Sequence, residues 1–369
     1  MSFNPKKTVL YSVGLLGASI GLALKASGYK GRVIGVSSPK GLAAALAINA
    51  IDEGHSYDEL QTAVRGADLL ILCSPISVIK AAFEKLAGLE LPDGLVITDV
   101  GSTKQEIVAA AQKHLPPHIY YIGGHPMAGS EKSGPGAADP YLFQNAIFAF
   151  TPPGGVPTDR DRDIAAFFEK NTGCRAIFLR PALHDRIVAA VSHVPHLLAV
   201  ALVNVAQAIE TEIPDTLKLA AGGFRDMTRI ASAPYELWHD ILLTNKAAIA
   251  PLIDAMVEEL TLMKEQLKTD SLRDRFELSR ATRMRIPVNA KGFLGSLSEV
   301  LVVAKDQPGI IAKIANALSA KKINIKDIEV MKVREGEGGT IRLAFESSDV
   351  AHAAISELQQ AGFTARERT

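Results

Sequence analysis

Thr8-Val9-Leu10-Tyr11-Ser12-Val13-Gly14-Leu15-Leu16-Gly17-Ala18-Ser19-Ile20 is the stretch that decides the fold. Thr8 to Val13 suits a strand, and the glycine turn after it opens a helix running to about Ser27. After Gly28 and Gly31, Arg32–Val36 reads as a second short strand. Strand, glycine turn, helix and strand in that order form the opening βαβ unit of a dinucleotide-binding fold. Such a turn lets the backbone pass beside a pyrophosphate while the helix presents its first amides to it. Gly14, Leu15, Leu16 and Gly17 are therefore the expected pyrophosphate contacts. Ser12 stands where the fingerprint has its first glycine, so the motif reads S-x-G-x-x-G.

The end of the second strand bears on the cofactor. A site specific for NAD usually has an acid there, which binds the ribose 2′-hydroxyl and repels a 2′-phosphate. This chain has Val36-Ser37-Ser38-Pro39-Lys40, with no carboxylate. Either NAD or NADP is expected, and Ser37, Ser38 and Lys40 favour NADP.

Further apolar strands are expected at Asp68–Cys73, Gly94–Val100 and Ile119–Ile122, with helical spacing between them, as in Thr103–His114. Buried runs alternating with amphipathic ones predict a parallel, doubly wound α/β sheet of Rossmann type. Ligands in such sheets collect at the carboxyl ends of the strands. Ser74-Pro75 and Gly101-Ser102-Thr103-Lys104 stand at two of those ends. At a third, Gly123-Gly124-His125-Pro126-Met127-Ala128-Gly129-Ser130-Glu131-Lys132-Ser133-Gly134 reads as a loop leaving the strand. Its one histidine has the side chain whose ordinary pKa suits proton transfer near neutrality. His125, Ser102 and Ser74 are thus expected in one crevice, with Ser74 and Pro75 on the cofactor side.

Two more apolar runs, Ala146–Phe150 and Ala176–Leu179, complete a dinucleotide-binding domain over 1–180. From 181 to 285 the spacing is helical, and Ile187–Ile209 is apolar on most sides, which predicts an all-α domain and a helix-mediated homodimer. It contains His184-Asp185, Ser192-His193-Val194-Pro195-His196 and a polar island, Ala221–Ile230, whose two arginines suit an anion clamp. Pro195 should kink or start a helix. His193-x-x-His196 puts two imidazoles on one helical face, but no carboxylate sits at a metal-site interval, so no metal is expected. A linker over 286–297 leads to residues 298–369, where strands and helices alternate as βαββαβ, a ferredoxin-like α+β sandwich. Nothing in that last piece looks catalytic.

Composition narrows the partners. In 369 residues Lys+Arg and Asp+Glu both number 40, so the formal net charge is +0 and neither nucleic acid nor an anionic membrane is indicated. Two cysteines, Cys73 and Cys174, make no disulfide framework and fit reduced thiols in the cytoplasm. Lys6-Lys7 before the nearly uncharged Thr8–Leu24 has the outline of a secretory signal, but Gly14, Gly17 and Gly21 interrupt it. No other apolar run reads as long enough to span a membrane.

In order along the chain, Asp99–Lys104, Gly123–Gly134, Ser192–His196, Gly222–Ile230 and Asp306–Gly309 with Ile323-Asn324-Ile325 resemble the motifs of prephenate/arogenate dehydrogenases carrying a C-terminal ACT domain. The resemblance covers essentially the whole length, and the histidine loop is its most specific part. It implies oxidation of a cyclohexadienol: hydride leaves C4 for NAD or NADP, the hydroxyl proton goes to a histidine, and carbon dioxide departs as the ring aromatises. By motif position, His125 would accept the proton and Ser102 would hydrogen-bond the hydroxyl and the histidine. Arg229 would hold a substrate carboxylate, His196 would sit on the substrate-binding face, and Glu131 would stand at the pocket mouth. The ACT piece would bind a small amino acid, L-tyrosine by resemblance, and damp activity. Prephenate and arogenate stay open as substrates. The remoter alternatives are a 3-hydroxyacid dehydrogenase, which would leave the histidine loop unexplained, and a non-catalytic ACT-type sensor, which only Ser12 favours.

Overall fold

The computed structural model describes residues 3–129, 132–269, 271–286, 297–304, 307–334 and 338–368, and divides into two compact units, Met1–Asp270 and Ser271–Thr369. Glu131, Asp306 and linker residues 287–296 lie outside the described residues.

The first unit is built on strands β1 (Lys7–Tyr11), β2 (Arg32–Val36), β3 (Glu53–His55), β4 (Leu69–Leu72), β5 (Val96–Asp99), β6 (Tyr120–Pro126), β7 (Ile147–Thr151) and β8 (Arg175–Phe178). They lie in the order β3-β2-β1-β4-β5-β6-β7-β8. The order reverses between β1 and β4, the switch point at which doubly wound sheets open a crevice. Six of the seven neighbouring pairs are parallel, and β6 and β7 run antiparallel. The expected sheet is thus mixed rather than wholly parallel.

Helices α1 (Leu15–Ala26), α2 (Pro39–Ala47), α3 (Leu60–Val64), α4 (Ile76–Ala87), α5 (Gln105–His114) and α6 (Asp159–Thr172) cover both faces. Alternate strand residues serve opposite sides, as the period-two pleat requires. Val9, Tyr11, Leu70, Leu72 and Ile97 pack with Val64, Ile79, Phe83 and Ile107. Leu10, Leu69, Ile71 and Val96 pack with Ile20, Leu24, Ile164 and Phe168 on the other face. With both faces dry, the strands need the near-continuous apolar runs that mark them in the sequence.

Two strands differ from expectation. β3 carries Glu53-Gly54-His55, with no apolar run to announce it. β6 was expected to stop at Ile122 but continues through His125 to Pro126, because β7 pairs with its last four residues. Only glycine fits at two of them: a Cβ on Gly124 would lie 2.5 Å from the Asp99 carbonyl oxygen, and one on Gly123 would lie 2.3 Å from Thr151 Oγ1. His125 therefore stands on a strand end, not in a mobile loop.

Helices α7 (Pro181–Val188) and α8 (Val194–Glu212) are joined by a π-helical turn over Ala189–His193, and Pro195 sits in the first turn of α8. The run Pro181–Glu212 is long and apolar enough to cross a membrane by length and composition, which corrects the expectation that no such stretch exists. His184, Asp185, His193 and His196 on it are buried, while Val191 and Val205 are exposed. Helices α9 (Gly222–Thr228), α10 (Tyr235–Thr244) and α11 (Lys246–Leu267) complete the unit.

In the second unit, α12 (Arg273–Met284) precedes β9 (Ser298–Ala304), α13 (Ile310–Ser319), β10 (Asp327–Arg334), β11 (Gly338–Phe345), α14 (Ser348–Gln360) and β12 (Thr364–Glu367). The sheet order β10-β11-β9-β12, all antiparallel, is that of a ferredoxin-like sandwich. Val300, Val302, Leu343 and Phe345 pack there on Ile314, Leu318, Ala354 and Leu358. Arg342 binds Glu299, Asp327 and Glu329 at 2.8, 2.5 and 2.8 Å.

Candidate active site

Two elements bring the site together. The end of β6 presents His125, and α7 brings His184 and Asp185 against it. His125 Nδ1 lies 2.9 Å from His184 Nε2, and His184 Nδ1 lies 2.8 Å from Asp185 Oδ1. The Asp185 carboxylate also accepts the amides of Lys104 at 2.7 Å and Gln105 at 2.9 Å, so it caps the start of α5. Accepting from those donors, Asp185 takes the Nδ1 proton of His184 as well. That leaves a lone pair on His184 Nε2, which takes the Nδ1 proton of His125. By this assignment His125 Nε2 is the free, basic nitrogen.

Burial, then the neighbouring His184, Lys104 and His193, hold the His125 pKa well below the ordinary histidine value. Burial likewise lowers His184, and it takes His193 down to about 4. The cluster is therefore neutral at pH 7 and ready to accept a proton.

Beneath His125 lies a buried ion pair. The Lys104 ammonium bonds the Asp99 carboxylate and donates to the Gly124 carbonyl at 2.6 Å. Asp99 also accepts from the Gly101 amide at 2.7 Å, the Tyr121 hydroxyl at 2.8 Å and, more weakly, the Gly124 amide at 3.3 Å.

Of the other expected residues, His196 is buried at the start of α8 and stacks on Trp238, ring centroids 3.7 Å apart. His193 also packs edge-on against Trp238, centroids 5.9 Å apart; its Nδ1 meets Asn245 Nδ2 at 3.0 Å, and Asn245 also donates to the Asp185 carbonyl at 2.9 Å. Among the described residues no group of three His, Cys, Asp or Glu could hold a metal ion. Arg229 is exposed at the start of a 3₁₀ turn, Arg229–Ser232, that packs against α8. Ser102 is half-buried between β5 and α5 and makes no hydrogen bond to His125, whose Nδ1 partner is His184.

The residues expected to meet the cofactor line the carboxyl edge of the sheet. Gly14 begins α1 with no side-chain cap, and a Cβ there would meet nothing within 4 Å. A Cβ on Gly17 would instead lie 2.7 Å from the Ser12 carbonyl oxygen. Open space at Gly14 and uncapped amides at Leu15 and Leu16 suit a pyrophosphate. Ser37 is buried at the end of β2, Ser38 caps α2 through the Gly41 amide at 3.3 Å, and Lys40 is exposed in its first turn. Pro75 starts α4, where the Ser77 amide is capped by Asp240 of α10 at 2.8 Å.

His184, Asp185, Lys104, Asp99 and Trp238 were given no role from the sequence. His184-Asp185 was a visible signal, since a carboxylate beside a histidine in an apolar run needs a partner.

The chain is similar to known proteins over most of its length. Residues 20–177 match the family model described as prephenate dehydrogenase, nucleotide-binding domain; residues 180–280 match its dimerization domain; residues 298–363 match the ACT domain. A prephenate dehydrogenase of Bacillus subtilis is 36% identical over 350 residues, 93% of each chain. The structure of Aquifex aeolicus prephenate dehydrogenase with hydroxyphenyl propionate and NAD+ covers 78% of this chain and all of that one, at 30% identity and a TM-score of 0.71. The Synechocystis arogenate dehydrogenase structure covers 75% of this chain and 97% of that one, at 28% identity and a TM-score of 0.62.

Proposed function

This chain belongs to the prephenate dehydrogenase family, and we propose that His125 is the general base of an oxidative decarboxylation in the first step towards tyrosine from a cyclohexadienol. The observation that carries the assignment is the His125–His184–Asp185 chain, which leaves Nε2 of a neutral imidazole available. The enzyme is a dinucleotide-dependent dehydrogenase, and the bound nicotinamide would supply the hydride acceptor.

His125 Nε2 takes the C4 hydroxyl proton as the C4 hydride leaves. The bond from the quaternary carbon to its carboxylate then breaks, carbon dioxide departs, and the electron pair runs through the ring to the C4 oxygen. His125 returns its proton there, so the product is the 4-hydroxyphenyl compound and the base is regenerated. Burial of His184, Asp185 and His193 strengthens the dipoles that hold the imidazole.

Ser102 is assigned to the substrate hydroxyl. Arg229 is assigned to a substrate carboxylate and His196, set by its stack on Trp238, to the substrate-binding face. An over-tight clamp on the departing carboxylate would stabilise the ground state, so Arg229 serves orientation. Glu131 keeps its proposed place at the pocket mouth. The substrate is prephenate, giving 4-hydroxyphenylpyruvate, with arogenate as the second reading because the arogenate dehydrogenase is so similar.

For the cofactor, the turn Ser37–Lys40, free of carboxylates, favours a 2′-phosphate, although the Aquifex relative has NAD+ bound. Exposed apolar residues along the helices, Val191 and Val205 among them, together with the dimerization-domain match, favour a homodimer. The matches over 20–177, 180–280 and 298–363 support domains over 1–180, 181–285 and 298–369, the relatedness to biosynthetic dehydrogenases supports a cytoplasmic enzyme, and L-tyrosine is proposed as effector of the ACT piece by resemblance. Steady-state kinetics crossing prephenate and arogenate with NAD and NADP tests the whole assignment. Absence of turnover in all four combinations would remove it, and a strong NAD preference would remove the NADP reading alone.

A further inference from the structure

The switch point of the sheet carries three hydroxyls. Ser12 follows β1, Ser74 follows β4, and Tyr57 begins the 3₁₀ turn Tyr57–Glu59 after β3. The Ser74 hydroxyl donates to Ser12 Oγ, and Ser12 Oγ lies 2.9 Å from the Tyr57 hydroxyl. Tyr57 is held by an edge-to-face contact with Tyr11, centroids 5.2 Å apart, and Ser74 is 8% exposed.

Ser12 keeps the backbone of the glycine it replaces. Its φ is +69°, in the left-handed region that glycine enters without strain, and its amide is fixed by the Val36 carbonyl at 2.8 Å. Its carbonyl is what excludes a side chain at Gly17. The turn thus has the fingerprint's shape with one hydroxyl added.

Counting protons gives that hydroxyl a use. Three O–H groups share two hydrogen bonds, and none has another side-chain partner among the described residues. If Tyr57 donates to Ser12, the Ser12 proton is unspent; if Ser12 donates to Tyr57, the Tyr57 proton is. Either way one donor remains beside the uncapped amides of α1, where an anion is expected.

We propose that the hydroxyl cluster centred on Ser12, with Ser74 and Tyr57, adds one hydrogen-bond donor to the dinucleotide site, from Ser12 or from Tyr57, and that this donor holds a pyrophosphate oxygen of the cofactor. This rests on the dinucleotide-dependent reading above. It makes Ser12 a positive contributor to affinity rather than a tolerated departure from glycine.

Calorimetric titration of NAD+, NADP+ and ADP-ribose into the full chain and its Ser12→Gly, Ser74→Ala and Tyr57→Phe variants, with Tm measured alongside, tests it. Ser12→Gly should hold or raise Tm, by relief of the left-handed serine, while weakening all three ligands roughly three- to tenfold, the range of one hydrogen bond. Ser74→Ala and Tyr57→Phe should weaken them in the same direction, and adenosine, which lacks the pyrophosphate, should bind all four proteins alike. Ser12→Gly binding as tightly as the parent chain, or more tightly, overturns this proposal alone. A parent chain that binds neither NAD+ nor NADP+ overturns the cofactor reading and this proposal with it.

Discussion

His125 Nδ1 and His184 Nε2 lie 2.9 Å apart, and this contact decides which nitrogen of His125 can work as a base. Asp185 sets the direction of the chain by accepting the far proton of His184. The same carboxylate caps α5, so the proton's direction and the seating of α7 against α5 share one side chain.

Replacing His125 by Asn should remove the base while preserving a polar side chain of similar reach. A fall in kcat of at least about a hundredfold is expected, the usual worth of a positioned general base, with substrate binding retained. Retained turnover in steady-state assays would show that another group takes the proton.

His184→Phe keeps an aromatic ring of similar size but offers no acceptor to His125. Either tautomer of His125 then becomes available, and kcat should drop by roughly ten- to a hundredfold with KM little changed. An equal loss from His184→Gln would be informative, since the Gln carbonyl can still accept the Nδ1 proton. Rescue by Gln but not by Phe is the expected pattern.

The lowered pKa of His125 places the acid limb of the kcat/KM profile below pH 6.5, not at it. Stability should follow the same direction. A histidine whose folded pKa is depressed binds fewer protons folded than unfolded, so it contributes stability above about pH 6.5 that is lost on acidification. For His193 the loss runs from about 6.5 down to about 4. Thermal melts across that interval should show Tm falling with pH, and less steeply in His193→Gln. A Tm independent of pH from 7 to 4 would contradict the buried, neutral cluster.

Arg229 stands on an exposed turn that packs against α8. Its assigned work is orientation of a carboxylate. Arg229→Ala should therefore raise KM more than it lowers kcat. A large kcat loss at unchanged KM would make it a transition-state residue instead.

The parts of the fold legible in the sequence are those written by periodicity. β1, β2 and β4 sit in apolar runs because both faces of the sheet are covered, and α1 follows its glycine turn. β3 escaped notice because three polar residues at a sheet edge leave no pattern. The extension of β6 escaped because glycines usually end strands, whereas Gly123 and Gly124 are there to let β5 and β7 approach. His125 was legible from its chemistry alone. His184 was not, because the pairing of residues 59 positions apart is fixed by how α7 packs, which no local pattern encodes.

Lys104 supplies the last and most severe test, one of stability. Its ammonium is fully buried with the Asp99 carboxylate and also holds the Gly124 carbonyl, next to His125. Lys104→Met leaves the buried Asp99 carboxyl without its partner, which should cost about 3–5 kcal/mol. Lys104→Met with Asp99→Asn removes both charges and leaves an amide whose oxygen can accept from the Gly101 amide while its NH2 donates to the Tyr121 hydroxyl oxygen, so the double variant should be more stable than Lys104→Met alone. Urea denaturation of the two proteins decides this. If the double variant is the less stable, the pair contributes by its shape and hydrogen bonds rather than by charge balance, and the ammonium is not what keeps Asp99 tolerable in the core.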